Sequence, residues 1–443
     1  MRDVARRVFD QALFENCNIV LFEDEQTALD LFPLSVLRPS WEIRAGAGCT
    51  RLWLASLPNR VNPVILRPRR GMGAISGQLA GHPDETFDPD AETMFVNGRV
   101  LGLWTTSQDL PHLPDTIIDV GGRPLLAQRS GSQATKLLNL GGNEIAESLV
   151  QDTGSVHLDD SGWTLLSSQY IWDYVKHTPA LLDRQLHSDR RGVPELMGAH
   201  IVRETPAGVH VTDRTTGYPV YLGPGAKVMP GAIFGNHAGA VWIGANTEIE
   251  PQTYIEGPIY VGAHCRVKAG ARLYHGSAFG EQCRMAGEIS ASVFQSFVNK
   301  QHDGFVGNSI LGQWVNLGAD TRTSNLRNDY GEVTVTVGGR LVSTNERYLG
   351  LMAGDHVKTG INTMFNTATV VGVGANVYGA GYPPRHIESF MRGGVEGMRA
   401  GSLERTLDVA RLVMSRRGQE LTAVEEDLLR KHYAELYNEE TKA

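Results

Sequence analysis

Residues 243–290 read IGANTEIEPQTYIEGPIYVGAHCRVKAGARLYHGSAFGEQCRMAGEIS, and a large apolar residue returns at every sixth position: Ile243, Ile249, Ile255, Val261, Val267, Leu273, Phe279 and Met285. Four residues after each stands a small or modest one: Thr247, Thr253, Ile259, Cys265, Ala271, Ser277, Cys283 and Ile289. A period of six fits neither a helix nor a lone hairpin. It suits short strands joined by tight corners and stacked so that their inward residues form one column. Leu222, Val228 and Phe234 keep the spacing upstream, ahead of a three-residue slip; Phe305, Leu311 and Leu317, then Thr359, Phe365, Val371 and Val377, carry it downstream. The pattern predicts roughly eighteen hexads, or about six coils. Gly223, Gly244, Gly262 and Gly280 are expected at corners that need φ above zero.

Composition agrees with such a prism and excludes several classes. Fifty glycines are about 11% of the chain, above the usual ~7%, without the third-residue period of collagen. At ~150 residues per domain, 443 residues predict two or three domains. No apolar run approaches the ~18 residues of a membrane span, and 41% hydrophobic content excludes a disordered chain. A net charge of −8 with no block of Lys and Arg argues against nucleic acid as a partner. Cys17, Cys49, Cys265 and Cys283 are far apart and form no C-x-x-C pair, which suggests neither a zinc site nor a disulfide framework and fits a reducing cytoplasm. The opening MRDVARRVFDQALFEN has arginines, but Asp3, Asp10, Glu15 and the lack of an apolar core read as a short helix of the mature protein.

Two interruptions carry polar residues: 291–304 (ASVFQSFVNKQHDG), which departs from the repeat, and 322–350, which inserts a hairpin, EVTVTV-GG-RLVS, between two coils. Loops leaving a rigid prism are where sites are usually built.

The segments QHDGFVGNSILGQWVNLGADTRTSNLRNDYG (301–331) and GDHVKTGINTMFNTATVVGVGANVYGAG (354–381) resemble the acetyltransferase half of a bifunctional family. That family joins N-acetylglucosamine-1-phosphate uridylyltransferase to glucosamine-1-phosphate acetyltransferase, and the resemblance is strongest to its divergent sugar-nucleotidyltransferase branch. Residues 18–51 (NIVLFEDEQTALDLFPLSVLRPSWEIRAGAGCTR), VNGRVL at 96–101 and WDYV at 172–175 extend it over most of the chain. The resemblance implies a left-handed parallel β-helix, the hand coming from the family alone because parallel connections are ordinarily right-handed. It also implies a homotrimer with sites between subunits, acetyl-CoA as donor and an amino-sugar 1-phosphate as acceptor.

Acetyl transfer from a thioester to an amine needs a base within hydrogen-bond reach as the amine attacks, and histidine is the natural one. His302 stands where the family places its catalytic histidine. Glu288 aligns with a carboxylate that orients the base, although a solvated corner of the prism fits it equally. Arg266 and Lys268 lie on one face of a coil as cations for the sugar phosphate, and Lys268 matches a phosphate-binding residue of the family. A second family lysine has no counterpart in CRMAGEISAS, where only Arg284 is near; Lys300 is the candidate replacement. Asn316 and Asn325 match asparagines that contact the sugar and the accepting region, with an asparagine ladder inside a coil as the alternative role. Ala319 matches a position whose backbone N–H meets the thioester oxygen, and Phe305 replaces a tyrosine.

Residues 1–150, with strands NIVLF, PVILR and TMFVNGRVLGLW, read as a divergent nucleotidyltransferase-like α/β domain. A glycine-rich basic loop should follow the first strand to cradle a triphosphate, but VLFEDEQTALDLFPLS is acidic there. Arg38, Arg44, Asn97 and Arg99 remain as candidates for the phosphates of UTP, and Asp24 for Mg²⁺. Residues 151–215 read as a helical linker containing WDYVKHTPALLDRQL, 216–395 as the β-helix and 396–443 as C-terminal helices. In the last, Leu403, Leu407, Ala410 and Met414 keep helical spacing and Thr422-Ala-Val-Glu425 is a capping box.

The expected activity is acetylation of glucosamine-1-phosphate by acetyl-CoA, joined to uridylyl transfer from UTP with Mg²⁺ if the N-terminal domain is active. A single-activity acyltransferase with a degenerate N-terminal domain and a non-catalytic trimeric scaffold are the alternatives. A zinc enzyme like the γ-class carbonic anhydrases is disfavoured, because His237, His264, His275 and His302 lack the close pair on one coil that such a site requires.

Overall fold

The computed structural model describes residues 9–57, 63–80, 87–105, 115–118, 122–151, 155–156, 163–186, 200–201, 206–215 and 217–437. None of its helices is long and apolar enough to cross a membrane. The chain divides into two compact units, Met1–Leu31 with Arg38–Asp173 and Phe32–Leu37 with Tyr174–Ala443. Residues 1–8 of the expected first helix, and 187–199 and 202–205 of the expected linker, lie outside the described residues; Gln11–Phe14 is helical.

The first unit is built on Asn18–Phe22, five buried residues without alternation, as a strand covered on both faces requires. It pairs in parallel with Ile65–Arg67 on one side and Thr93–Asn97 on the other. The sheet continues through Pro124–Arg129 and Thr116–Ile118 to Ser155–Val156. Val20, Phe22, Ile65 and Phe95 pack with Ala134, Leu137, Ile145 and Leu149 from the helices Gly131–Leu138 and Gly142–Val150. The expected strand TMFVNGRVLGLW splits at Gly98, and Val100–Thr105 leaves to pair antiparallel with Trp163–Ser167. A Cβ at Gly98 would run into Ser40 Oγ and lie 2.9 Å from the Trp41 ring.

The second unit is a parallel β-solenoid of about ten turns. Its first face is a ten-stranded sheet running from His386–Ile387 to Val220–Leu222, parallel throughout except for the terminal strand His200–Ile201. The second face stacks Lys227–Val228, Glu248–Ile249, Arg266–Val267, Arg284–Met285 and Asn299–Lys300. The third stacks His210–Val211, Ile233–Gly235, Tyr254–Glu256, Arg272–Leu273, Glu288–Ser290 and Phe305–Gly307. All eight residues of the sixfold series from Ile243 to Met285 are buried in one continuous core.

The structure has more coils than the spacing predicted because strict sixfold order lapses. Partners on the first face are 18 residues apart at Ile259 and Ser277, but 15 at Ala278 and Val293 and 17 at Val293 and Ile310. Residues 291–304, expected to leave the repeat, stay in the wall as Val293–Phe294 and Asn299–Lys300. The shortened corner also makes Val306 the inward residue in place of Phe305, paired with Ile289. The hairpin is present, Thr334–Val337 against Arg340–Ser343, with Gly338 and Gly339 both at positive φ as its two-residue turn requires.

The corner glycines have a different cause from the one expected. Positive φ occurs two residues later, at Gly225, Asn246, His264 and Gln282. Gly244 and Gly262 are needed because successive coils touch there: a Cβ on Gly244 would lie 2.5 Å from the Ala263 nitrogen, and one on Gly262 2.8 Å from the Gly280 carbonyl carbon.

Three helices flank the prism. Trp172–Leu186 sets Pro179 against Gly276, where a Cβ would lie 3.1 Å from the proline ring. Leu403–Ser415, capped by the Ser402 hydroxyl, buries Leu407, Ala410 and Met414. Ala423–Tyr437 opens on the expected capping box: Thr422 N donates to Glu425 Oε2 at 2.9 Å and Glu425 N to Thr422 Oγ1 at 3.2 Å. Its far end closes the prism, with Tyr433 edge-on to Phe390 and the Tyr437 hydroxyl donating to the Ser389 carbonyl at 2.7 Å.

Candidate active site

Between the second and third faces the chain turns at 268–271, 286–287, 301–304, 318–321 and 360–363, so these corners stack into one edge of the prism. Lys268, His302 and Ala319 share that edge. His302 is exposed, and among the described residues no hydrogen bond or ion pair engages its ring. The imidazole is open to a substrate. Ala319 accepts from Asn362 N at 2.7 Å through its carbonyl, while its N–H meets no acceptor among the described residues.

Glu288 begins the next strand on the third face and pairs in register with Phe305, three residues past His302. Its carboxylate accepts from Arg272 Nη2 at 3.2 Å and makes no bond to His302. Arg272, one coil below in the same register column, was missed in the sequence; its spacing from Glu288 was the available signal.

Arg266 and Lys268 converge on a carboxylate of the protein itself. Arg266 Nε lies 2.6 Å and Lys268 Nζ 2.7 Å from Glu250 Oε1, and Ala269 N donates to Oε2 at 3.1 Å. Burial alone would raise the Glu250 carboxyl; the bonds from Lys268, Ala269 and Arg266 outweigh it and hold it at about 2. Glu248 Oε2 also lies 3.9 Å from Arg266 Nε, so two carboxylates of the protein face these two cations. Glu250 stands one coil before Lys268, and that interval could have exposed the pair.

Lys300 is not offered to the edge. It occupies an inward position and is 0% exposed, with its ammonium bonded to the carbonyls of Ala286, His302 and Asp303. Asn316 joins a ladder on the second face, its Oδ1 accepting from Asn299 Nδ2 at 2.6 Å. Asn325 lies past the far edge of the third face, where its Nδ2 donates to Asn308 Oδ1 at 2.8 Å. Within one chain the fold therefore gathers His302, Lys268, Ala319, Glu288 and Asn316 around one edge and leaves Asn325 at another.

In the first unit the nucleotide candidates are interior. Arg38 and Arg44 are buried, Arg44 Nη1 donating to the Ala47 carbonyl at 2.9 Å. Asn97 and Arg99 are both 0% exposed; Asn97 donates to the Pro124 carbonyl at 3.2 Å and accepts from Arg99 N at 3.1 Å. Open α/β sheets bind nucleotides past the strand ends where chain order reverses, here between Asn18–Phe22 and Thr93–Asn97. At that point Glu23, fully buried, accepts from Ser40 N at 2.7 Å and pairs with Arg69 Nη1 at 2.6 Å. Buried Trp41 lies against Gly98, so the turn Ser40–Glu42 packs onto the strand ends. Asp24 is used as a helix cap, accepting from Thr27 N at 2.7 Å. Asp24 and Glu23 are thus engaged within the protein, and no group of three His, Cys, Asp or Glu residues is gathered among the described residues. All four cysteines are free and buried, and burial, helped by the charge of Glu42, pushes the Cys49 thiol up to about 12.

The prism is a parallel β-solenoid built on a hexapeptide repeat. The chain is similar over 91 residues, at 38% identity, to the bifunctional sugar-1-phosphate nucleotidylyltransferase/acetyltransferase of Sulfurisphaera tokodaii, a match covering 20% of this chain and 23% of that one. It is 36% identical over 102 residues to the bifunctional protein GlmU of Methanocaldococcus jannaschii, covering 23% and 25%. The chain thus spans about a quarter of the length of the curated relatives it matches. No family model matches it. Among solved structures, an acetyltransferase of Bacillus cereus superposes with a TM-score of 0.21 at 9% identity, over 51% of this chain and 99% of that one. The N-acyltransferase AntD of Bacillus cereus, in complex with dTDP and coenzyme A, gives 0.19 at 12%, over 47% and 91%. Superpositions this loose add nothing to the fold described above.

Proposed function

We propose that the protein is a cytoplasmic, homotrimeric sugar-1-phosphate acetyltransferase that uses acetyl-CoA, with glucosamine-1-phosphate as the first acceptor to test. The carrying observation is the open imidazole of His302 on the edge shared with Lys268 and Ala319. The acceptor nitrogen attacks the thioester carbonyl carbon; the C–N bond forms, the nitrogen's proton passes to His302, the C–S bond breaks, and coenzyme A leaves as a thiolate that takes up a proton. The free N–H of Ala319 is suited to the oxyanion formed on the way. Lys268 and Arg266, although paired with Glu250 and, for Arg266, Glu248, are the cations on this side of the prism suited to the sugar phosphate. The names of the partial relatives support the same reading. The test is thiol release from acetyl-CoA with a series of amino-sugar 1-phosphates, the acetylated product being confirmed by mass; activity only with amines lacking a phosphate would contradict the role of Lys268.

A second reading, a single activity with a first unit that no longer transfers nucleotides, is favoured by Glu23, Ser40, Trp41 and Arg69 occupying the strand ends. Adding UTP, Mg²⁺ and N-acetylglucosamine-1-phosphate separates the two: pyrophosphate release supports a bifunctional enzyme, and its absence beside active acetyl transfer supports the single activity.

A further inference from the structure

On the second face the inward column reads Ile249, Val267 and Met285, and then Lys300. Lys300 is 0% exposed, and among the described residues no carboxylate forms an ion pair with it. A methionine or leucine would pack in such a column without the desolvation cost of an ammonium, which is offset only when its donors are used. All three bonds of this ammonium go to backbone carbonyls of the edge: Ala286 at 3.4 Å in the coil below, and His302 and Asp303, at 2.8 Å for the latter, in its own corner. The corner is tight as well, since a Cβ at Gly287 would lie 3.0 Å from the Asp303 Cα. The cation thus ties the backbone of the open histidine to the coil beneath it.

We propose that Lys300 is a positioning residue for His302, its buried ammonium fixing the corner from which the imidazole is presented. The proposal rests on His302 as the base. It gives Lys300 work inside the prism rather than contact with a phosphate.

The side chains introduced by Lys300→Met and Lys300→Gln are equal in length, each one atom shorter than lysine, and differ chiefly in that the amide keeps two N–H donors for the corner carbonyls. With the full-length protein, acetyl-CoA and glucosamine-1-phosphate, Lys300→Met is expected to lose about 10²-fold in kcat while KM for both substrates stays within about twofold, the loss typical of a reacting group displaced by about 1 Å. Lys300→Gln is expected to recover at least tenfold of it. A rise in KM for the sugar phosphate with kcat preserved would overturn the proposal in favour of direct phosphate binding. Equal kcat in Met, Gln and wild type would overturn it too. Failure of both variants to fold, by thermal melt, would assign Lys300 to the fold alone and would equally overturn it. Absence of thiol release in the wild type would instead remove the acetyltransferase reading, so the two failures are distinct.

Discussion

Lys300 and His302 stand two residues apart on one corner and meet opposite fates, the ammonium drawn in and the imidazole turned out. Sequence alone showed both as polar residues in a broken stretch of the repeat; only the shortened coil, which brings Lys300 into the column below Leu317, decides between them. Burial lowers the Lys300 ammonium to about 8, against the opposing charges of Asp303 and Asp320. Its folded pKa lies below the ordinary lysine value of 10.5, so between about 8 and 10.5 the unfolded chain holds more protons and stability rises with pH. The melting temperature of wild type relative to Lys300→Met is therefore expected to climb across that window, as thermal melts at stepped pH would show. Glu250 has the opposite sign. Held at about 2 against the ordinary carboxyl value of 4.5, it contributes stability that is present above about 4.5 and lost as pH falls toward 2. The advantage of wild type over Glu250→Gln should shrink through that interval; a constant difference would mean that the bonds from Arg266 and Lys268 contribute nothing.

At the scale of the element, the sixfold column was legible because every sixth residue from Ile243 to Met285 is apolar and buried and each coil there is the same length. Register was lost locally where a coil shortens, as Phe305 and Val306 show, and Leu311 and Leu317 are inward again beyond it. The role of the corner glycines was illegible because positive φ and close stacking both favour glycine, and only geometry separates them. Substitution separates them experimentally. Gly244→Ala must push successive coils apart, an overpacking expected to cost about 1–3 kcal/mol and to lower the melting temperature by several degrees. Asn246→Gly, at φ 54°, should melt within a degree or two of wild type. Equal losses from the two would contradict the assignment of stacking to the first position and backbone conformation to the second.

At the scale of the molecule, both units were visible in the sequence, one through its sixfold period and the other through NIVLF and its neighbouring strands. The acidic segment after the first strand signalled a missing phosphate loop, but the Glu23–Arg69 pair with Ser40 and Trp41 over the strand ends depends on contacts up to 58 residues apart and left no local pattern. UTP with Mg²⁺ is accordingly expected to leave the melting temperature unchanged in a thermal-shift titration, and a saturable rise would show that the turn at Ser40–Glu42 gives way to nucleotide. The central claim concerns the other unit: an open imidazole on the stacked edge is the base of an acetyl transfer. It is tested most directly by thiol release from acetyl-CoA with glucosamine-1-phosphate, wild type beside His302→Ala. The account predicts turnover by the wild type and a loss of about 10²–10⁴-fold in kcat in a variant that melts normally; turnover undiminished by the substitution would contradict it.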